Sequence, residues 1–74
     1  MTDLNRINQF LQANLRRKGE SSVRAVEAAE WLDRAGLLED SKTRRGKPLR
    51  VLLRAKRIAG QRQESNRRWF IDRI

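Results

Sequence analysis

The segment Pro48-Leu49-Arg50-Val51-Leu52-Leu53-Arg54 sets two arginines four residues apart among leucines at helical spacing. At 100° per residue, Leu49, Leu52 and Leu53 share one face, while Lys47, Arg50, Arg54 and Arg57 gather on another. Guanidinium groups in that arrangement suit one chemistry well. Their planar forks bind phosphate oxygens and guanine edges in bidentate fashion. A short helix carrying them fits the major groove of a duplex, and Val51 is placed to touch a thymine methyl. Arg62, Arg67 and Arg68 follow on either side of a polar stretch, and Lys42, Arg44 and Arg45 precede the helix.

The charge along the chain is polarised. Residues 41–74 hold twelve Lys or Arg against Glu64 and Asp72, a net of +10. Residues 20–40 hold six acids against Arg24 and Arg34, a net of −4, and residues 1–19 hold four bases against Asp3, a net of +3. A basic half joined to an acidic middle points to a polyanionic partner, with double-stranded DNA the first candidate. Arg16, Arg17 and Lys18 read instead as ordinary partners of a helix C-terminus.

What is missing narrows the chemistry. The chain has no cysteine and no histidine. It therefore lacks disulfides, thiolate ligands, and the commonest general base and metal ligand. Glu27, Glu30 and Asp33 lie along one helical stretch, but without histidine they read as solubility or docking groups. No cofactor, metal site or enzymatic activity is expected. No apolar run approaches the roughly 20 residues that span a bilayer, and Met1-Thr2-Asp3-Leu4-Asn5 does not open a secretory signal. A cytoplasmic protein is the expectation, nucleoid-associated if it binds DNA.

Seventy-four residues make a single small domain. Its thin core makes a homodimer one route to stability. Leu4, Ile7, Leu11 and Leu15, with Phe10 beside them, predict a helix over 3–18 within an N-terminal unit 1–19. Thr2 or Asp3 caps it, Gly19 ends it, and Asn8 and Asn14 flank its buried stripe. A second helical unit spans 20–38, capped by Ser21 or Ser22, with Val23, Val26, Ala29 and Leu32 as its stripe and an end near residue 35. A short strand over 21–24 is the alternative at its start. Trp31 sits at the edge of the buried face. Residues 39–47 read as a basic loop, either ordered or disordered until it meets phosphate. Pro48 opens a third helix over 48–57. Residues 58–72 read as a two-stranded hairpin that turns at Glu64-Ser65-Asn66-Arg67. Trp69 and Ile71 face the core and Phe70 faces away.

Three helices followed by a basic two-stranded wing make a mainly α, α+β chain with the layout of a winged helix. At that level Val26-Glu27-Ala28-Ala29-Glu30-Trp31-Leu32 resembles the opening helix of excisionase-like and MerR-like winged helix-turn-helix proteins. The stretch from Pro48 to Gly60 resembles their recognition helix and the approach to the wing, and Arg67-Arg68-Trp69-Phe70-Ile71 resembles the returning wing strand. The likeness covers residues 22–72. It implies DNA binding in transcription regulation or site-specific recombination. Lys47, Arg62, Arg67 and Arg68 would then contact phosphates, with Arg50, Arg54 and Val51 at base edges. Two departures stand out. The connection from Asp33 to Lys47 is long, and Lys56 stands where the family often has glycine, so that either Lys56 adopts a left-handed conformation at about 1 kcal/mol or the helix runs on to Arg57. RNA is one alternative partner. Another is an acidic protein, docked by an inhibitor or adaptor that would use Trp31, Phe70 and Ile74.

Overall fold

The computed structural model describes residues 3–74. Within them the chain is a small α+β fold of three helices and one three-stranded antiparallel sheet. Helix α1 is Leu4–Lys18, strand β1 Ser22–Arg24, α2 Ala25–Arg34, α3 Lys47–Arg54, β2 Gln61–Gln63 and β3 Trp69–Asp72.

α1 forms where the leucine period predicts it. Asp3 caps it, the carboxylate accepting from the Arg6 N–H at 3.2 Å. Thr2, the other expected cap, lies outside the described residues. Ile7, Leu11 and Leu15 are fully buried, so α1 is part of the core and not an appendage to it.

The second unit differs from the helix expected over 20–38. Its first residues form β1, which pairs with β3 through Val23 opposite Ile71. The helix starts only at Ala25, and this resets the buried stripe to Ala25, Ala28, Ala29 and Leu32. Val26, expected inside, is instead 47% exposed. Val23 reaches the core from the sheet, and a residue three positions further on shares no helical face with it.

Strand order is β1-β3-β2, so the expected two-stranded hairpin is a three-stranded sheet. β3 lies in the middle with Ile71 fully buried, and Gln61 and Val23 flank it on the two sides. Leu49 and Leu53 of α3, Leu32 of α2 and Ile58 complete the core, with Leu37, Leu38, Leu52 and Trp69 packed around it.

The third helix ends at Arg54, short of residue 57, and Lys56 takes the left-handed conformation with φ 59°. Two carboxamides on α1 secure the segment between Lys56 and β2. Asn8 donates to the Arg57 carbonyl at 3.2 Å and accepts from the Ala59 N–H at 3.0 Å. Gln12, buried, donates to the carbonyls of Asp72 at 3.0 Å and Ala59 at 3.3 Å, and accepts from the Ile74 N–H at 2.9 Å. Gly60, at φ 81°, lies so close to β3 that a Cβ would strike the Asp72 carbonyl oxygen and come within 3.1 Å of Gln12 Nε2. Gly60→Ala is therefore expected to destabilise the fold by about 2–4 kcal/mol, from left-handed strain plus overpacking, as read by urea denaturation. A loss under about 0.5 kcal/mol would contradict this packing.

Candidate nucleic-acid interface

α3 presents its basic residues because its leucines face inward. Leu49 and Leu53 are fully buried, which leaves Lys47, Val51 and Arg54 exposed and Arg50 half-buried. Gly46, at φ 84°, turns the chain into the helix, and Pro48 occupies the first turn, where its missing N–H is not needed. Arg50 is held in place by donating to the Arg45 carbonyl at 3.1 Å.

The sheet supplies the other wall. A three-residue loop, Ser65-Asn66-Arg67, closes β2 onto β3. The Glu64 N–H reaches the Arg68 carbonyl at 3.0 Å and the Arg67 N–H reaches the Glu64 carbonyl at 2.9 Å. Arg67 is left-handed with φ 66°, the geometry of a type I turn followed by a bulge residue. Between α3 and this hairpin runs a groove of about 600 Å³, lined by Arg50, Arg54, Lys56, Gln63, Arg67 and Trp69. A second concavity shares Arg50, Arg67 and Trp69 and adds Arg24, Ala25, Val26 and Arg68. No carboxylate lines either one. Among the described residues the ion-paired cations are Arg6, Arg34 and Arg62, none of them in this lining. Six cations thus border two adjoining concavities that share Arg50, Arg67 and Trp69, with no carboxylate in either lining. Such a surface repels itself and attracts a polyanion.

The expected site residues fall into three places. Arg50, Arg54, Arg67 and Arg68 border the groove, while Lys47 and Val51 lie exposed on α3 beside it, Val51 at 55%. Arg57 leaves the α3 face, because the helix ends before it and the chain turns away through Lys56. Arg62 is on the opposite face of the sheet. It pairs with Phe70, which alternates with the inward Ile71 and Trp69, and it lines neither concavity, whereas Arg24, opposite Phe70 on the other edge, reaches the second concavity from the end of β1. The Arg62 guanidinium makes two contacts to Asp72, at 2.9 and 3.3 Å, approaches Glu64 at 3.6 Å and covers the Phe70 ring. The hydrogen bond to Asp72, ahead of all other effects, raises its pKa above the ordinary arginine value.

The loop over residues 39–47 is bridged by its own side chains. Asp40 accepts from the N–H groups of Ser41 at 2.9 Å and Gly46 at 2.8 Å, and Ser41 Oγ accepts from the Arg44 N–H at 3.1 Å. Lys42 and Arg45 line a different concavity, shared with Glu30, Asp33 and Asp40, and Arg44 is exposed. Of the apolar candidates for protein docking, Trp31 is half-buried beneath Lys18 and Phe70 half-buried beneath Arg62, while Ile74 is 73% exposed. Sequence reasoning missed Arg24 and Lys56 as groove residues. A strand over 21–24 is the available signal for Arg24, and the replacement of glycine by Lys56 is the signal for Lys56.

No family model matches the chain, and no curated protein and no solved structure matches it either. Among the described residues no helix is long and apolar enough to cross a membrane.

The two faces of the sheet separate in a binding experiment. Arg62→Ala is expected to change affinity for duplex DNA at physiological salt by less than about twofold, since its charge is spent locally and screened beyond about 8 Å. A loss matching that of a groove arginine would contradict this assignment.

Proposed function

We propose that this chain is a winged-helix, double-stranded-DNA-binding protein of the excisionase-like kind, acting in transcription regulation or as an accessory to site-specific recombination. One observation carries the reading: six cations border two adjoining concavities beside a short exposed helix and a β-hairpin, with no carboxylate in either lining.

In this reading α3 is the recognition helix. Its eight residues span about 12 Å at 1.5 Å per residue, a length that fits within a major groove. Arg50 and Arg54 reach base edges or phosphates, and exposed Val51 meets a thymine methyl. β2 and β3 form the wing, with Arg67 and Arg68 on the phosphodiester backbone beside the helix. Lys47 at the start of α3 and Arg24 at the start of α2 extend the track. The loop cations Lys42 and Arg45 share a concavity with Glu30, Asp33 and Asp40, and with the exposed Arg44 they serve as outer contacts. Trp31 and Phe70 are each half-covered by a cation, which leaves Trp69 as the one aromatic ring in the groove lining, fewer than a single-strand stacking platform uses.

Fluorescence anisotropy with random-sequence duplex DNA at several salt concentrations tests this. Neutralising about six to eight phosphates predicts a slope of log K against log salt of roughly −5 to −7. A slope near zero, or no binding at low salt, would remove the proposal. Once a preferred site is selected from the pool, Arg54→Ala is expected to weaken that complex by about 1–3 kcal/mol. Equal loss on selected and random DNA would make Arg54 a phosphate contact and not a reader of sequence.

A further inference from the structure

Each of the three helices ends in the same way. The N–H of a left-handed residue bonds three positions back, and the following N–H bonds five positions back. After α1 the residue is Gly19, with φ 67° and bonds of 3.1 and 3.0 Å. After α2 it is Gly36, with φ 72° and bonds of 3.1 and 3.0 Å. After α3 it is Lys56, with φ 59° and bonds of 3.0 and 3.1 Å. Glycine is the ordinary occupant because any Cβ is strained there. The chain uses glycine twice and departs from it once.

Arg67 is the second departure. It holds the left-handed position of the hairpin loop, where glycine is again the usual choice. Among the described residues, Lys56 and Arg67 are the two non-glycine residues with positive φ. They lie eleven positions apart in sequence, on different turns, yet both border the one groove between α3 and the hairpin. Both are long cations. Turn hydrogen bonds fix the backbone on which each is mounted, and Gln63 Nε2 adds a bond to the Arg67 carbonyl at 3.4 Å.

Strained positions tend to persist where the side chain is needed. Resting on the DNA-binding reading above, we propose that Lys56 and Arg67 are the two jaws of a phosphate clamp, gripping one phosphodiester group of the backbone as it crosses the groove. The clamp trades fold stability for binding. Glycine at either position relieves the strain and removes the jaw, so the two effects have opposite signs.

The test compares the parent chain with Lys56→Gly, Arg67→Gly, the double variant, and the charge-retaining Lys56→Arg. Thermal unfolding is read together with binding to random-sequence duplex DNA and to inorganic polyphosphate across a salt series. Each glycine variant is expected to melt higher, by up to about 4–8 °C. Because both jaws grip one phosphate, each single variant is expected to flatten the salt slope on DNA by less than one, and the double variant by about one. Lys56→Arg should match the parent in both readouts. A double variant that melts higher but keeps the parent's DNA slope overturns the clamp while the DNA-binding reading stands. Glycine variants that melt no higher overturn the trade. A parent chain that binds polyphosphate but not duplex, with that binding flattened in the double variant, supports a phosphate clamp and removes DNA as its ligand.

Discussion

Asn8 and Gln12 reach from α1 to the segment that joins α3 to β2 and to the end of β3. These carboxamides bond backbone groups of Arg57, Ala59, Asp72 and Ile74, and the bonds of Gln12 and of Asn8 to the Ala59 N–H are partly buried. A buried donor or acceptor left unpaired costs about 1–3 kcal/mol, which favours keeping the partly buried bonds formed. The segment they hold contains the close pass of Gly60 against Asp72. It joins α3 to β2 and so lies between the elements that form the two walls of the basic groove. Gln61 adds to this by donating to the Leu53 carbonyl at 2.7 Å and accepting from the Ile58 N–H at 3.1 Å. α1 contributes no groove residue, yet the groove depends on it.

The sheet sorts the charges. Alternation along β3 sends Ile71 and Trp69 toward the core and the groove, and Phe70 and Asp72 to the other side. Arg62 follows Phe70 and is neutralised by Asp72 and Glu64. The hairpin's two acids therefore lie away from the groove, beside the one hairpin arginine that does not enter it. α2 carries three of the remaining acids, Glu27, Glu30 and Asp33, and Glu30 is paired with Arg34 at 2.8 Å. The result is a pair of adjoining concavities lined by cations and by no acid. For DNA, the positive field of such a surface raises the rate of encounter as well as the affinity.

Much of this fold is legible in the sequence, and the gaps have physical causes. α1 is readable to within a residue because its signals are local: a leucine period, an Asp cap and a Gly stop. The start of α3 is equally local, through Pro48. β1 is only an alternative at the level of sequence, since three residues are too few to show alternation and its partner lies near residue 71. That ambiguity carries Val26 into the expected core. Arg62 and Arg67 look equivalent because strand register decides their faces. Register follows from the bulge at Arg67, a left-handed residue that glycine would have announced and arginine does not. Asn8 and Gln12 are silent for a different reason. A carboxamide on a helix looks like solvent-facing surface until a distant backbone comes to meet it.

If DNA is bound, one face of the molecule should meet it, the face between α3 and the hairpin. An amide and indole NMR titration of the ¹⁵N-labelled chain with a short random-sequence duplex reads this residue by residue. The largest shifts are expected at Arg50, Val51, Arg54, Lys56, Arg67 and the Trp69 indole, with Arg62, Phe70 and the acidic residues of α2 little changed. Shifts concentrated on the Arg62–Phe70 face, or spread evenly over the surface, would contradict a single binding face in the basic groove.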